Sequence, residues 1–223
     1  PINKAEPDAS QCKVSGKGVE GPVVQGEDAP IQIEAVNRLG QRIKSGGDPF
    51  VIKVSGPNDR VLDSPVKDNG DGSYSSSYKP VDYGKHTVEV TLNGAPVAQS
   101  PYTIDVKRPA GYPAANKCFC EGPGLKGGDT AEPSEFTINA RDEDGNVVNP
   151  PASVWTVMLT DPDGDDVDVS VGEGQNGVYA CSYQATRQGP HTLVVGLRNP
   201  VVASSFEELP GSPFSPNITQ GTD

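Results

Sequence analysis

Apolar residues alternate with polar ones in short runs, broken at intervals by glycine, proline and asparagine, and this two-residue period predicts strands rather than helices. In the first half of the chain the runs fall at residues 12–15, 31–36, 50–55, 61–67, 73–79, 86–92 and 102–106. Their separators are turn chemistry: Gly40, Gly56-Pro57, Asn69-Gly70-Asp71-Gly72, Gly84 and Asn93-Gly94. Gly and Asn there supply the positive φ that tight turns need. Seven short strands, at a spacing of roughly ten residues, predict an immunoglobulin-like β-sandwich.

The pattern then repeats. Ile31-Gln32-Ile33-Glu34-Ala35 returns as Phe136-Thr137-Ile138-Asn139-Ala140, an offset of 105 that also maps Phe50, Ile52 and Val54 onto Trp155, Val157 and Leu159. It carries Tyr74 and Tyr78 onto Tyr179 and Tyr183, and His86-Thr87 onto His191-Thr192. Upstream the offset is 106, pairing Gly16, Gly18 and Gly21 with Gly122, Gly124 and Gly127; downstream it reaches 112, pairing Ser100-Pro101-Tyr102 with Ser212-Pro213-Phe214. Two homologous domains are predicted, 1–109 and 110–223, with about seven extra residues near Ser204 to Leu209 lengthening the connection before the second copy's last strand. Residues 107–115 lack alternation, hold two prolines and read as a short semi-extended linker.

Composition supports two small cores over one large one: hydrophobic residues are 34%, and 26 valines against 8 leucines are a strand vocabulary. The formal charge is −12. That excludes phosphate-backbone recognition as a main activity, since counterion release needs Lys and Arg. The charge is uneven, with 13 basic and 14 acidic residues before Pro109 but 5 against 16 after it. No apolar run nears the roughly 20 residues that span a bilayer, so membrane insertion is not expected. The chain opens on Pro1 rather than methionine, as a fragment or processed chain would.

Several signatures occur in order: Gly122-Pro123-Gly124-Leu125, a strand ending in Gly56-Pro57, Asp68-Asn69-Gly70-Asp71-Gly72-Ser73-Tyr74, Gly84-Lys85-His86 and Ser100-Pro101-Tyr102. Together they resemble the filamin repeat, in both halves of the chain. The second copy departs at residues 174–179, where the acidic turn is eroded, and at Pro216, which interrupts the expected last strand. The resemblance implies an all-β fold of two tandem seven-stranded immunoglobulin-like sandwiches, in a cytoplasmic, cytoskeletal rod that cross-links actin. It implies a non-enzymatic spacer, dimerisation module and docking site, with actin engaged only through a separate region of a parent chain. The partners implied are proteins: extended peptide strands, or a second copy in a homodimer. Such strands would add beside the third strand, with side chains entering the groove between third and fourth. In the first copy that groove is Phe50, Val51, Ile52, Lys53, Val54 and Ser55 with Val61, Leu62, Asp63, Ser64, Pro65 and Val66. The first copy is expected to be the better acceptor: Val51, Lys53 and Ser55 leave a nearly neutral surface, whereas Asp166 and Asp168 make the matching region of the second acidic. Pro65 removes a donor from the fourth strand, which an edge tolerates. The alternatives are an extracellular adhesion or surface module of the same sandwich class, or an accessory domain of an enzyme.

Candidate chemistry is thin. Gly16-Lys17-Gly18-Val19-Glu20-Gly21 and Gly122-Pro123-Gly124-Leu125-Lys126-Gly127 match the dinucleotide fingerprint, but that motif must open a helix and here leads into β-type sequence. Asp161-x-Asp163-x-Asp165 opens like a calcium loop, yet Asp166 stands where the sharp-turn glycine belongs and Gly172 where a bidentate Glu belongs. It reads as a solvated turn, as does Asp142-Glu143-Asp144-Gly145. His86 and His191 are equivalent strand positions rather than a catalytic pair. No cofactor or metal is expected. Cys12, Cys118 and Cys120 fall in first strands and Cys181 in a fifth, which does not fit a bridge between second and sixth strands, so free thiols are expected. Asn217-Ile218-Thr219 is a glycosylation sequon only if the chain is secreted.

Overall fold

The computed structural model describes residues 6–222. The chain divides into two compact units, Pro1–Pro109 and Ala110–Asp223.

In the first unit, strands β1 (Lys13–Ser15), β3 (Ala29–Glu34), β7 (Ser73–Tyr78) and β6 (Lys67–Asp68) form one sheet in the order β1-β3-β7-β6. The other runs β2-β10-β8-β4-β5, from β2 (Val23–Val24), β10 (Tyr102–Lys107), β8 (Gly84–Leu92), β4 (Phe50–Ser55) and β5 (Val61–Leu62), with β9 (Ala95–Pro96) on β8. The alternation does what the pattern requires: in β3 and β4 every second residue is buried. Ile31, Ile33, Val54, Val88 and Val90 meet between the sheets. Phe50 tilts against Tyr74 at 4.7 Å between centroids.

The fourth predicted strand, 61–67, is not one strand. Its first two residues pair with β4, residues 63–66 cross the gap, and Lys67 and Asp68 pair with β7 in the opposite sheet. Periodicity cannot register a change of sheet, because inward residues stay inward across it. Unpredicted also are the helical turn α1 (Lys17–Glu20) and the short strands β2 and β9. The linker is shorter than predicted, since Lys107 ends β10 while Ala114 and Ala115 are buried in the second unit.

The second unit pairs β11 (Phe119–Glu121), β13 (Ser134–Asn139), β17 (Val178–Tyr183) and β16 (Val169–Val171) in one sheet. Opposite it lies β15-β14-β19-β20, from β15 (Asp166–Val167), β14 (Trp155–Thr160), β19 (Thr192–Arg198) and β20 (Phe206–Glu208). A third group joins β12 (Gly127–Asp129), β21 (Asn217–Thr219) and β18 (Gly189–Pro190). Its last strand is indeed broken: Phe214 pairs with Leu193, Pro216 accepts from His191 N–H, and β21 follows. Part of the extra segment becomes β20, paired with β19. Trp155 packs edge-on to Tyr179 at 5.3 Å, repeating Phe50 and Tyr74.

Candidate functional site

Strand β4 is flanked by β8 along its whole length but by β5 only at Val54 and Ser55. The rest of its outer edge is open. Opposite Ile52 stands Val90, whose N–H donates to Ser100 Oγ (2.8 Å) and whose carbonyl accepts from Val97 N–H (2.9 Å). Both backbone groups of Val90 thus turn away from β4. In an antiparallel ladder the opposed residue does the same, so Ile52 points its N–H and C=O at the open edge.

Beside that edge runs a groove of about 760 Å³ lined by Phe50, Val51, Ile52 and Lys53 on one side and Val61, Leu62, Asp63, Ser64, Pro65 and Val66 on the other. Phe50 and Ile52 form the buried floor, Leu62 and Val66 half-buried walls, and Val51 and Val61 stand exposed at the rim. Val54 is in the core and Ser55 half-buried, both already paired with β5, so of the twelve predicted residues these two lie outside the groove. Lys53 and Asp63 are exposed and offset one another in charge. Ser64 is buried by its hydroxyl contact with Ser76, 2.7 Å away.

The second unit shows why the crossing is loose in the first. There the fourth strand crosses in a single residue, Asp168, and β16 pairs Val169, Ser170 and Val171 with Tyr183, Ser182 and Cys181. Gly172 N–H donates to the Ala180 carbonyl, so the alternation makes Ser170 and Ser182 a hydrogen-bonded pair. Pro65 stands at Ser170's place and has no N–H to donate. The ladder is interrupted there, and residues 63–66 stay unpaired beside the groove.

The other motifs resolve into structure. Gly16 has φ of 106°, and a Cβ on Gly18 would stand 2.8 Å from Ala29 O. The glycine motif therefore lets α1 press onto β3, and the Tyr78 hydroxyl locks it by donating to Gly18 O at 2.8 Å. Tyr183 does the same to Gly124 O at 2.6 Å. His86 and His191 are buried and hold Gly84 O and Gly189 O through Nδ1 at 2.9 and 3.1 Å. The Asp161-x-Asp163-x-Asp165 turn closes on a cation of the chain's own: Arg187 Nε lies 3.0 Å from Asp161 Oδ2, Nη2 3.3 Å from Asp165 Oδ2, and Nη1 contacts Asp163. Among the described residues no group of His, Cys, Asp and Glu is arranged to hold a metal. At the matching places of the first unit the polarity is reversed, with Arg60 Nε 2.7 Å from Asp82 Oδ2. All four cysteines are free. Cys12 and Cys118 each take a backbone N–H, from Val36 and Arg141, and return the thiol hydrogen to the same residue's carbonyl. Burial pushes the Cys120 and Cys181 thiols up to about 12.

The model of the Filamin/ABP280 repeat matches residues 6–103 and again 112–215. The chain belongs to the filamin repeat family. It is 31% identical to Filamin-C of Rattus norvegicus over 175 residues, covering 77% of this chain and 6% of that protein. It is 27% identical to Filamin-A of Drosophila melanogaster over 222 residues, covering 96% of this chain and 9% of that protein. Among solved structures, the Lin-41 filamin domain aligns with a TM-score of 0.43 at 22% identity, covering 49% of this chain and 99% of the domain. The chain therefore spans less than a tenth of the curated filamins it matches. Two tandem filamin repeats of immunoglobulin-like fold make a structural and protein-interaction module, and the repeat itself is a non-enzymatic domain.

Proposed function

We propose that the pair serves as a rod segment of an actin-cross-linking, cytoplasmic scaffold, separating its neighbours and docking an extended strand of a partner protein on β4 of the first repeat. One observation carries the docking: Ile52 offers an unpaired donor and acceptor beside a groove with an apolar floor. A strand added there gains main-chain hydrogen bonds, and its alternate side chains enter the groove. The same free edge would serve a second copy of the chain, which is how self-association enters this reading. Lys53 and Asp63 leave the first groove electrically mixed, whereas Asp166 and Asp168 border the second repeat's edge and disfavour an apolar or acidic strand there.

Fluorescence anisotropy with a labelled, uncharged Val/Thr/Ser peptide tests the reading. The full chain should bind it, and Val66→Glu should weaken it by at least about tenfold, because a charge enters the groove wall without a partner. Val171→Glu, the matching change in the second repeat, should leave affinity unchanged. Equal losses in both variants, or a loss only with Val171→Glu, would move the site elsewhere.

A further inference from the structure

The internal repeat supplies a comparison surface. On the solvent face of the first repeat's β4-β8 pair, Lys53 stands opposite Glu89, both exposed, as expected of a sheet face in water. At the same places in the second repeat Met158 stands opposite Val194. Met158 is 44% exposed and Val194 half-buried. The lengthened segment before the last strand adds an aromatic residue to the same face. In β20, Phe206 lies opposite Arg198 and Glu208 opposite Gly196, in the solvent-facing row that holds Val194. A side chain at Gly196 would begin 2.4 Å from the Phe206 ring, so the ring lies against bare backbone and extends the patch, itself 38% exposed. A charged pair has become an apolar patch of Met158, Val194 and Phe206. Its rims are acidic: Asp166 opposite Thr160 on one side, Glu208 on the other, with Arg198 at one corner.

We propose that this face of the second repeat binds a basic amphipathic helix of a partner protein. The patch lies on the face of the sheet, over the β14-β19 ladder of residues 155–160 and 192–197, whereas β15 pairs with β14 only at Leu159 and Thr160 and leaves the outer edge of Trp155–Met158 open. Backbone donors and acceptors lie in the plane of a sheet, so an extended peptide laid across this face would find none to pair with; a strand could add only at the outer edge of β14, beside the patch and not on it. A helix satisfies its own backbone and presents an apolar stripe. Charge selects its sign, since the second half of the chain holds 5 basic residues against 16 acidic, and Arg187 is held by three aspartates. Lysines flanking the stripe reach Asp166 and Glu208. This surface is separate from the first repeat's groove and does not depend on it.

The test uses the full chain and a model helix of leucine and lysine with leucines at i, i+3, i+4 and i+7, followed by calorimetric titration. The decisive variant is Met158→Lys with Val194→Glu, which copies the first repeat's own residues and leaves net charge unchanged. Wild type is expected to bind the helix, the double variant at least about tenfold more weakly, and a counterpart helix with glutamate for lysine not at all. Phe206→Ser should weaken binding by several-fold, and thermal unfolding of each variant checks that the fold is kept. Equal affinity of wild type and double variant, equal binding of the glutamate helix, or tighter binding of an extended peptide at this face overturns the proposal. So does sedimentation showing a wild-type dimer that the double variant abolishes, because the occupant would then be a second copy.

Discussion

Removing Arg187 isolates what the inverted ion pair contributes. In Arg187→Ala, Asp163 and Asp165 remain exposed and hydrated, but Asp161, whose side chain is only 5% exposed, loses its counter-charge. It keeps two backbone N–H donors, from Asp163 and Asp165 at 2.9 Å each. Breaking a fully buried pair costs about 3–5 kcal/mol and an exposed one about 0–1. With one buried carboxylate and a guanidinium half in water, the expected cost is about 2 kcal/mol. A domain of about 110 residues has an unfolding entropy of about 0.23 kcal/mol/K, so the second repeat's Tm should fall by about 9 °C. Differential scanning calorimetry of the full chain should show the first repeat's transition unmoved. The mechanism makes a second demand: Asp161→Asn in the Arg187→Ala background should recover part of the loss, because the charge left without a counter-ion is removed. A shift below about 2 °C, or a double variant less stable than the single, would refute the reasoning.

Ser170→Pro, which copies Pro65 into the second repeat, should remove one ladder bond and the Ser170–Ser182 hydroxyl contact of 3.0 Å. Calorimetry should show a cost of about 1–2 kcal/mol, while Pro65→Ser should weaken strand binding to the first repeat several-fold. Because burial raises Cys120 and Cys181 from an ordinary 9.0 to about 12, alkylation by iodoacetamide at pH 8 should be at least about a hundredfold slower in the native chain than in denaturant. Burial also raises Tyr74 and Tyr78 from 10.0 to about 12. Thiols and phenols held neutral in this way support the fold fully below the unfolded-state values, and that support fades as pH climbs from about 9 to about 12. Circular dichroism should record stability falling across that window, with buried thiols of both repeats contributing from its lower end, Cys12 in the first and Cys120 and Cys181 in the second.

Legibility in the sequence followed what is local. The inward rows of β3, β4 and β8 were readable because burial alternates wherever one face meets a core. The repeat was readable from a constant offset. The sheet change at residues 63–66 was not, although Pro65 beside Ser170 was a usable signal: one copy carries a donor where the other lacks it. The reversed pair Arg60–Asp82 and Asp165–Arg187 was also visible in principle, as opposite charges at equivalent places, but only the fold brings residues 22 apart in the chain together. The glycine motifs needed structure to be understood, since Gly18 answers to a backbone contact with a distant strand. Of the groove proposed for docking, the ten lining residues could be named from the chain; that Ile52's backbone faces outward could not, because it follows from what Val90 does with Ser100 and Val97.

The central claim, strand docking on the first repeat, is tested most directly by amide-resolved NMR titration of the full chain with the uncharged Val/Thr/Ser peptide. The account predicts perturbation confined to Phe50–Ser55 and residues 61–66, with the Ile52 amide gaining hydrogen-exchange protection as it acquires a partner. Perturbation centred on Trp155–Thr160, or binding that leaves the Ile52 amide as exchangeable as before, would contradict it.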